Sequence, residues 1–507
     1  MVLALVALLG VAMLLPLGFA LLDGGPDASG IALAAGISLL IGGIGFSLLR
    51  KGVDDAAINH REGFAIVAFG WVAASLFGAL PFLLYAHLSG ACAVLQPAEG
   101  TGPPGWELCT ITDAVFEATS GFTTTGATIL THGLWDGPEP GSDSLPRGIL
   151  LWRALSHWLG GMGILLLAVA ILPLLGVGGM QLMRAEVPGP TADRLAPRVA
   201  ETARVLWIIY AALTALEAVL LALGGINWFE SICHAFATMA TGGFSTRALS
   251  VEGFHSAYLE WITIAFMFLA GANFSLHYVS LRGRPWAHLR DPEFRFYAGI
   301  ALLFTGLIGG TLLLHGAGGG HEALRSGAFQ AVSILTTTGF SSTDFEAWDA
   351  LTPALPFFLI LLMFVGGSAG STGGGVKCAR VYLLIRQGLR ELQHLIHPHA
   401  VLPVRLGKRV VERDVLRSVT GFFVLYVFCM AAAATLLSIM GLDSITAITA
   451  AAATLGNIGP GLGGVGPADN YHFLPAAAKW ICSFCMLLGR LELYTILVLL
   501  VPDFWRR

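Results

Sequence analysis

The sequence predicts an all-α membrane protein in which a helix, a re-entrant half-helix, a filter loop and a second helix form a unit used four times in parallel around one central pore, after two further transmembrane helices. Three observations predict it. Only 12% of the 507 residues are charged and 55% are hydrophobic, whereas soluble domains run near a quarter charged. Basic residues gather in alternate loops. A Thr/Gly motif recurs four times at matched positions within matched hydropathy. The formal net charge of −4 matters less than where the charges sit.

A transmembrane helix needs about 20 apolar residues. Stretches of that length cover 2–22, 31–49, 64–85, 149–175, 205–223, 258–281, 296–314, 354–385 (interrupted), 415–440 and 476–501. The first lacks a basic leader and a small-residue cleavage site, and a second apolar stretch follows at once, so it reads as a retained helix. Between later pairs lie 111–119, 228–239, 323–335 and 445–455, each too short to cross.

Arg50, Lys51 and Arg61 share one loop. Arg184, Arg194, Arg198 and Arg204 share another, and Arg282, Arg284, Arg290 and Arg295 a third. A fourth basic stretch runs from Lys377 to Arg417, and Arg506 and Arg507 follow the last span. All fall on one side of a ten-helix reading, which the positive-inside rule makes cytoplasmic, with both termini there. The opposite loops carry Glu107, Asp113, Asp136, Glu139, Asp143, Glu252, Asp344, Glu346, Asp349 and Asp469. This acidic side is expected to concentrate cations at a mouth. The four short segments lie there. A segment that enters and cannot cross must turn back, and irregular backbone at membrane depth persists only when buried in protein or lining water.

The four turn-back runs stack without gaps: Thr123-Thr124-Thr125-Gly126-Ala127, Ala240-Thr241-Gly242-Gly243-Phe244, Thr336-Thr337-Thr338-Gly339-Phe340 and Gly456-Asn457-Ile458-Gly459-Pro460. Their shared glycines are 117, 96 and 120 residues apart (126 to 243, 243 to 339, 339 to 459). Strands meeting around an axis can replace a monovalent cation's hydration shell with carbonyl oxygens. Glycine permits the positive φ that turns carbonyls inward, and threonine stiffens the strand and adds a hydroxyl. Half-helices running inward would aim their negative C-terminal ends at the ion. Residue types alone do not decide between potassium and sodium, nor between free passage and coupling to protons or sodium.

Two pairs of cysteines need a reading. Cys92 and Cys109 share an outer polar loop, where spacing alone cannot fix a disulfide. Cys482 and Cys485, at i, i+3 in an apolar helix, read as packing.

The chain resembles the Trk/Ktr/HKT superfamily of potassium transporters, and within it the TrkH/TrkG branch. The resemblance rests on SGFTTTGAT (120–128), GGMGILLLAVAILP (160–173), GVGGMQLMRAE (176–186), ATMATGGFST (237–246), DPEFRF (291–296), GGSAGSTGGGVK (366–377), LGNIGPGLG (455–463) and GRLELYT (489–495). It implies four M1-P-M2 units in a pseudo-fourfold array, with boundaries near 1–50 for the extra helix pair and 51–180, 181–285, 286–395 and 396–507 for the repeats. It implies potassium uptake across a bacterial inner membrane, contact with membrane lipid, a homodimer, and a TrkA-like cytosolic nucleotide-binding ring on the basic face. No cofactor beyond the transported K+, no nucleic acid and no enzymatic activity is expected. The implied ion-coordinating positions are Thr124, Thr125 and Gly126, Thr241, Gly242 and Gly243, Thr337, Thr338 and Gly339, and Asn457, Ile458 and Gly459. The fourth loop departs most from T-T-T-G. A sodium-coupled or sodium-permeable member of the same superfamily is the alternative.

Two features read as gates. Ten small residues at 366–375 cannot hold a plain transmembrane helix. The resemblance makes this run a flexible intramembrane loop below the filter, with Gly366, Gly367, Gly370, Ser371, Thr372, Gly373, Gly374, Gly375 and Lys377 as its working residues. A packing kink of small residues is the plainer reading. A phosphate-binding loop fails, because no strand precedes it and no Ser/Thr follows Lys377. Arg490 lies deep in the last apolar segment, where a buried arginine is expensive and usually functional. The resemblance puts it below the filter as a charge that limits leak; a structural ion pair with Glu492 or another helix is the plainer reading, but i, i+2 residues share no helix face, so Glu492 is a poor partner. The G-x-G-x-x-G at 461–466 is followed by Pro467 and reads as loop backbone. His394, His397 and His399 read as a solvated or partner-facing surface. A secondary transporter of a larger solute would show inverted repeats, and an enzyme would need a nucleophile and base, or a metal cluster, facing each other.

Overall fold

The computed structural model describes residues 1–49, 60–93, 103–131, 144–161, 163, 199–407 and 409–506. Among these, six helices are long and apolar enough to cross a membrane, or eight when two bent pairs are counted as spans. The chain is a multi-pass membrane protein. Burial follows the expected solvent: only 22% of the apolar window of Arg413–Ile439 is covered by protein, whereas the half-helices are buried along most of their length.

Val2–Ala12 and Leu14–Asp23 form the first span, slightly broken at Met13. It packs on Ala28–Leu49, where Gly42 lets the backbone of Ala7 approach. The pair docks outside the first repeat, and Asp23 accepts a bidentate pair of hydrogen bonds from Arg147 (2.5 and 2.6 Å).

The four half-helices are Ile111–Phe122, Trp228–Met239, Gly320–Leu335 and Ser444–Leu455. They begin within three residues of the stretches that hydropathy marks. Asn227 and Asp443 cap the second and fourth, and Thr110 caps the first, each side chain accepting from a first-turn backbone N–H. Each half-helix packs between its own preceding and following helices. It also packs on the helix that ends the previous unit: Arg147–Gly161 on Trp228–Met239, Ala257–Ala270 on Gly320–Leu335, Ala354–Met363 on Ser444–Leu455, and Ala476–Arg490 on Ile111–Phe122. The last contact joins the fourth unit to the first, so the four units close a ring.

Two departures from the sequence reading concern the spans. The stretch 258–281 is not one helix. It breaks by 97° between Ala257–Ala270 and Phe274–Leu281, where Asn273 restarts the helix by accepting from Ser275 N at 2.8 Å. The stretch 476–501 bends by 110° after Arg490. There Glu492 and Leu493 both hold φ near +54°, a conformation costing roughly 1–3 kcal/mol per residue. The expected helix at 149–175 is described through Gly161, and the rest lies outside the described residues. A two-stranded hairpin, Arg405–Leu406 with Arg409–Val410, interrupts the otherwise helical chain in the basic inner stretch. Cys92 and Cys109 are joined in a disulfide.

Candidate functional site

Each half-helix ends in the same way. In the first, Thr124 N donates to Gly121 O (3.1 Å) and Thr125 N to Ser120 O (2.9 Å). The same two bonds recur from Thr241 and Gly242, from Thr337 and Thr338, and from Asn457 and Ile458. This is a Schellman ending, whose defining residue is left-handed and usually glycine. Here that residue is Thr124 (φ 51°), Thr241 (54°), Thr337 (59°) or Asn457 (54°). A β-branched residue at positive φ is a true outlier. Three threonines so held mark backbone strain worth roughly 1–3 kcal/mol each, the kind that persists at functional sites. Asparagine tolerates this conformation better, which accounts for Asn457 where the other three loops have threonine. Two residues on, Gly126, Gly243, Gly339 and Gly459 take φ of 80, 81, 80 and 99°.

The four loops meet. A Cβ built on Gly126 would overlap the carbonyl oxygen of Gly242. One on Gly243 would overlap that of Thr338, and one on Gly339 that of Ile458. One on Gly459 would lie 2.6 Å from that of Thr125. Real Cβ atoms essentially never come within 3.0 Å, so each glycine is required twice, for its φ and for its neighbour. Every glycine abuts the next loop in order, and the fourth abuts the first. The carbonyls of Thr125, Gly242, Thr338 and Ile458 therefore occupy equivalent places in one ring.

The backing of the loops differs. In the first, Thr123 Oγ1 and Thr125 Oγ1 hydrogen-bond at 2.8 Å; in the third, Thr336 Oγ1 and Thr338 Oγ1 do the same. In the fourth, Asn457 Nδ2 donates to Thr125 Oγ1 (3.0 Å) and to Met486 O (2.9 Å).

Buried charges tie the units together. Arg153 pairs with Glu117 of the first half-helix at 2.5 Å, donates to Ser245 O of the second loop at 2.9 Å, and lies 3.7 Å over the Phe244 ring. Arg325 pairs with Glu260 at 2.8 Å between units two and three, and Lys479 with Asp113 at 2.5 Å between units four and one. Removing one partner of a buried pair leaves an uncompensated charge and costs about 3–5 kcal/mol. Glu117→Ala is therefore expected to lower the thermal stability of the detergent-solubilised protein strongly. Asp503→Ala, which removes an exposed pair with Arg506, is expected to change it by no more than about 0.5 kcal/mol. Equal shifts in the two unfolding curves would contradict the assignment.

The run 366–375 lies directly under the loops. Gly374 N donates to Thr337 Oγ1 (2.6 Å), and a Cβ on Gly374 would be 2.6 Å from Gly456 O. Thr372 Oγ1 reaches Met239 O at the end of the second half-helix (3.1 Å). The loop also satisfies carbonyls freed by the 97° break: Ser368 N donates to Gly271 O and Thr372 Oγ1 to Ala270 O. Each irregular segment supplies what the other lacks. Lys377 Nζ donates back to Gly373 O. Arg490 donates to Thr372 O (2.8 Å) and to Gly161 O (3.0 Å) and Gly160 O of the first unit, so it joins the loop to the first unit. It does not pair with Glu492, which pairs with Arg380. The run 366–370 also spells G-x-S-x-G. It lacks the strand–turn–helix setting of a nucleophile elbow, and among the described residues no group hydrogen-bonds Ser368 Oγ.

Among the described residues, the outer mouth is less acidic than the loop composition suggests. Glu107 is buried and accepts from Thr131 N and Oγ1, and Asp113 is neutralised by Lys479. Burial, reinforced by Asp469 and Asp344, pushes Glu346 up to about 7. Asp136, Glu139 and Asp143 lie outside the described residues. The depression above the glycine ring is lined by Arg153 and Arg247 as well as Asp469. Among the described residues no cluster of three or more His, Cys, Asp or Glu suits a metal ion.

Sequence reasoning missed Arg153, His157, Lys479 and Glu293. The first three are polar residues inside apolar helices, the signal that singled out Arg490. Glu293 opens the helix Pro292–Leu314, and its Oε1 accepts from Ala369 N (2.6 Å) inside the 366–375 loop and from Ala379 N (3.2 Å) beyond it. Nothing local predicts that clasp.

Comparison with known proteins follows the same lines. The family model described as TrkH, cation transport protein, matches residues 98–308 and 316–507. The Trk system potassium uptake protein TrkH of Halomonas elongata is 45% identical over 455 residues, 89% of this chain and 87% of that protein. The protein of the same description from Escherichia coli is 42% identical over 473 residues, 93% of this chain and 91% of that one. The crystal structure of the potassium transporter TrkH from Vibrio parahaemolyticus superposes with a TM-score of 0.83 at 38% identity, covering 99% of this chain and 97% of that one.

Proposed function

This chain belongs to the TrkH family of cation transport proteins, a family of transporters and not of enzymes, and from that premise we propose that it takes up potassium through the ring of four loops. The filter is formed by Thr124–Gly126, Thr241–Gly243, Thr337–Gly339 and Asn457–Gly459 in four successive repeats, bounded near 51–180, 181–285, 286–395 and 396–507. One observation carries the reading: four left-handed residues and four left-handed glycines put the carbonyls of Thr125, Gly242, Thr338 and Ile458 into one closed ring. Such a ring can stand in for the hydration shell of a monovalent cation. The C-terminal ends of the four buried half-helices face it, which favours positive charge.

Below the ring, the 366–375 loop with Lys377 and Arg490 holds the path shut. The loop's hydrogen bonds to Thr337, Met239 and Arg490 are what support this role. The basic inner stretches suit a cytosolic, TrkA-like nucleotide-binding regulator, and the protein works as a homodimer in a bacterial inner membrane with both termini inside. The test is uptake. Cells lacking potassium uptake are rescued in low potassium by this chain with its partner, and proteoliposomes carrying it pass Rb+ in preference to Na+. Equal passage of Na+ would overturn the potassium assignment.

A further inference from the structure

One filter position breaks the pattern of the others without a backbone reason. The residue before each ring glycine is Thr125, Thr338 and Ile458 in three loops, and Gly242 in the second. Gly126, Gly243, Gly339 and Gly459 need positive φ, but Gly242 does not. Any residue can adopt its backbone conformation. Space is what forbids a side chain: a Cβ on Gly242 would overlap the imidazole of His157, 2.5 Å from Cγ and 2.6 Å from Cε1, with Nδ1 closer still. The second loop also has Ala240 where the first and third have Thr123 and Thr336, so it lacks both hydroxyls of the clasp that backs those two loops.

His157 stands in that place. It comes from the helix Arg147–Gly161 of the first unit and is fully buried. Its ring stacks on Phe244, the residue after the ring glycine, with centroids 4.0 Å apart and planes 15° apart. One turn earlier on the same helix, Arg153 holds Phe244 and the Ser245 carbonyl. The imidazole thus braces both sides of Gly243, through Gly242 before it and Phe244 after it.

We propose that His157 is a positioning residue for ion selection: as a flat body filling the space behind Gly242, it fixes the second strand of the carbonyl ring at the width that discriminates potassium from sodium. This rests on the reading of the four loops as the ion filter. The two residues are complementary in volume, and close-packed interiors respond to a change of even one methyl group.

The test uses the full-length protein in liposomes, reading Rb+ and Na+ flux. His157→Ala keeps Rb+ flux within a few-fold but lowers the Rb+/Na+ ratio by about tenfold. His157→Phe, which keeps a flat ring, holds the ratio within about twofold of the parent. Gly242→Ala alone loses most flux, and the double variant His157→Ala/Gly242→Ala recovers it, because the methyl group then has room. A double variant as inactive as Gly242→Ala, or a His157→Ala protein with unchanged selectivity, overturns the proposal. If His157→Ala fails to fold, the Phe variant decides: loss of selectivity with folding intact overturns the space-filling role. Failure of the filter reading itself would show differently, as Rb+ flux surviving alanine at Gly339.

Discussion

Alanine at Gly339 abolishes potassium uptake while the protein still folds and inserts. The residue has φ +80°, where an L side chain costs roughly 1–2 kcal/mol. Its new Cβ would overlap the Ile458 carbonyl oxygen and lie 2.9 Å from Pro460 Cδ. Overpacking of that kind costs about a further 1–3 kcal/mol. If that energy is relieved by displacing the carbonyl, it appears as lost transport, and the sum of about 2–5 kcal/mol corresponds to a drop of roughly 30-fold to several thousand-fold in flux. The control is Gly299→Ala. Gly299 lies in the helix Pro292–Leu314, and an added Cβ there meets nothing within 4 Å. Alanine at Gly299 leaves uptake unchanged. Rubidium flux in proteoliposomes compares the two, with size-exclusion profiles to confirm folding. Gly126, Gly243 and Gly459 are expected to follow Gly339, since each faces the next loop in the same way. Flux in the Gly339 variant within about twofold of the parent would mean that the loop does not border the ion path.

The second large effect has the opposite sign. Arg490→Ala raises potassium flux measured without any cytosolic partner. Arg490 joins Thr372 O of the 366–375 loop to the carbonyls of Gly160 and Gly161 of the first unit. A hydrogen bond to a charged group contributes about 1.5–3 kcal/mol. Losing the bond to Thr372 alone shifts a closed loop toward open by about tenfold or more. Losing a positive charge on the path acts in the same direction. Arg490→Lys separates the two contributions, because lysine keeps the charge but cannot span two carbonyl groups as a planar fork does. If bridging holds the loop, the lysine variant leaks like the alanine variant. If charge alone blocks the path, it stays shut. A folded Arg490→Ala protein with unchanged flux would remove Arg490 from the gate.

Much of this architecture is legible in the sequence, for a physical reason. A half-helix is set by length against membrane thickness, and length is written locally. Trp228–Met239 ends and begins where hydropathy says it does. The four glycines are legible too, because positive φ at a close approach admits no other residue. What escapes is long-range. The break at Gly271–Asn273 becomes affordable only because Ser368 and Thr372, about a hundred residues later, satisfy the freed carbonyls. The bend after Arg490 is held by Arg380 on Glu492. The Glu293 clasp joins the start of one span to a loop at the end of the next. Charges in the outer loops are legible as composition but misleading as chemistry, since burial turns Glu107 and Asp113 into structural groups. Arg153, His157 and Lys479 are as legible as Arg490: each is a polar residue in an apolar helix, where burial is expensive.

The central claim is that four strands converge on one partly dehydrated ion. The most direct measurement is the position of a heavy potassium analogue, Rb+ or Tl+, by anomalous diffraction from crystals of the full-length protein. The account predicts a peak on the ring axis, within coordination distance of the carbonyls of Thr125, Gly242, Thr338 and Ile458. A transporting protein whose bound ion lies off that axis, with the ring empty, would contradict it.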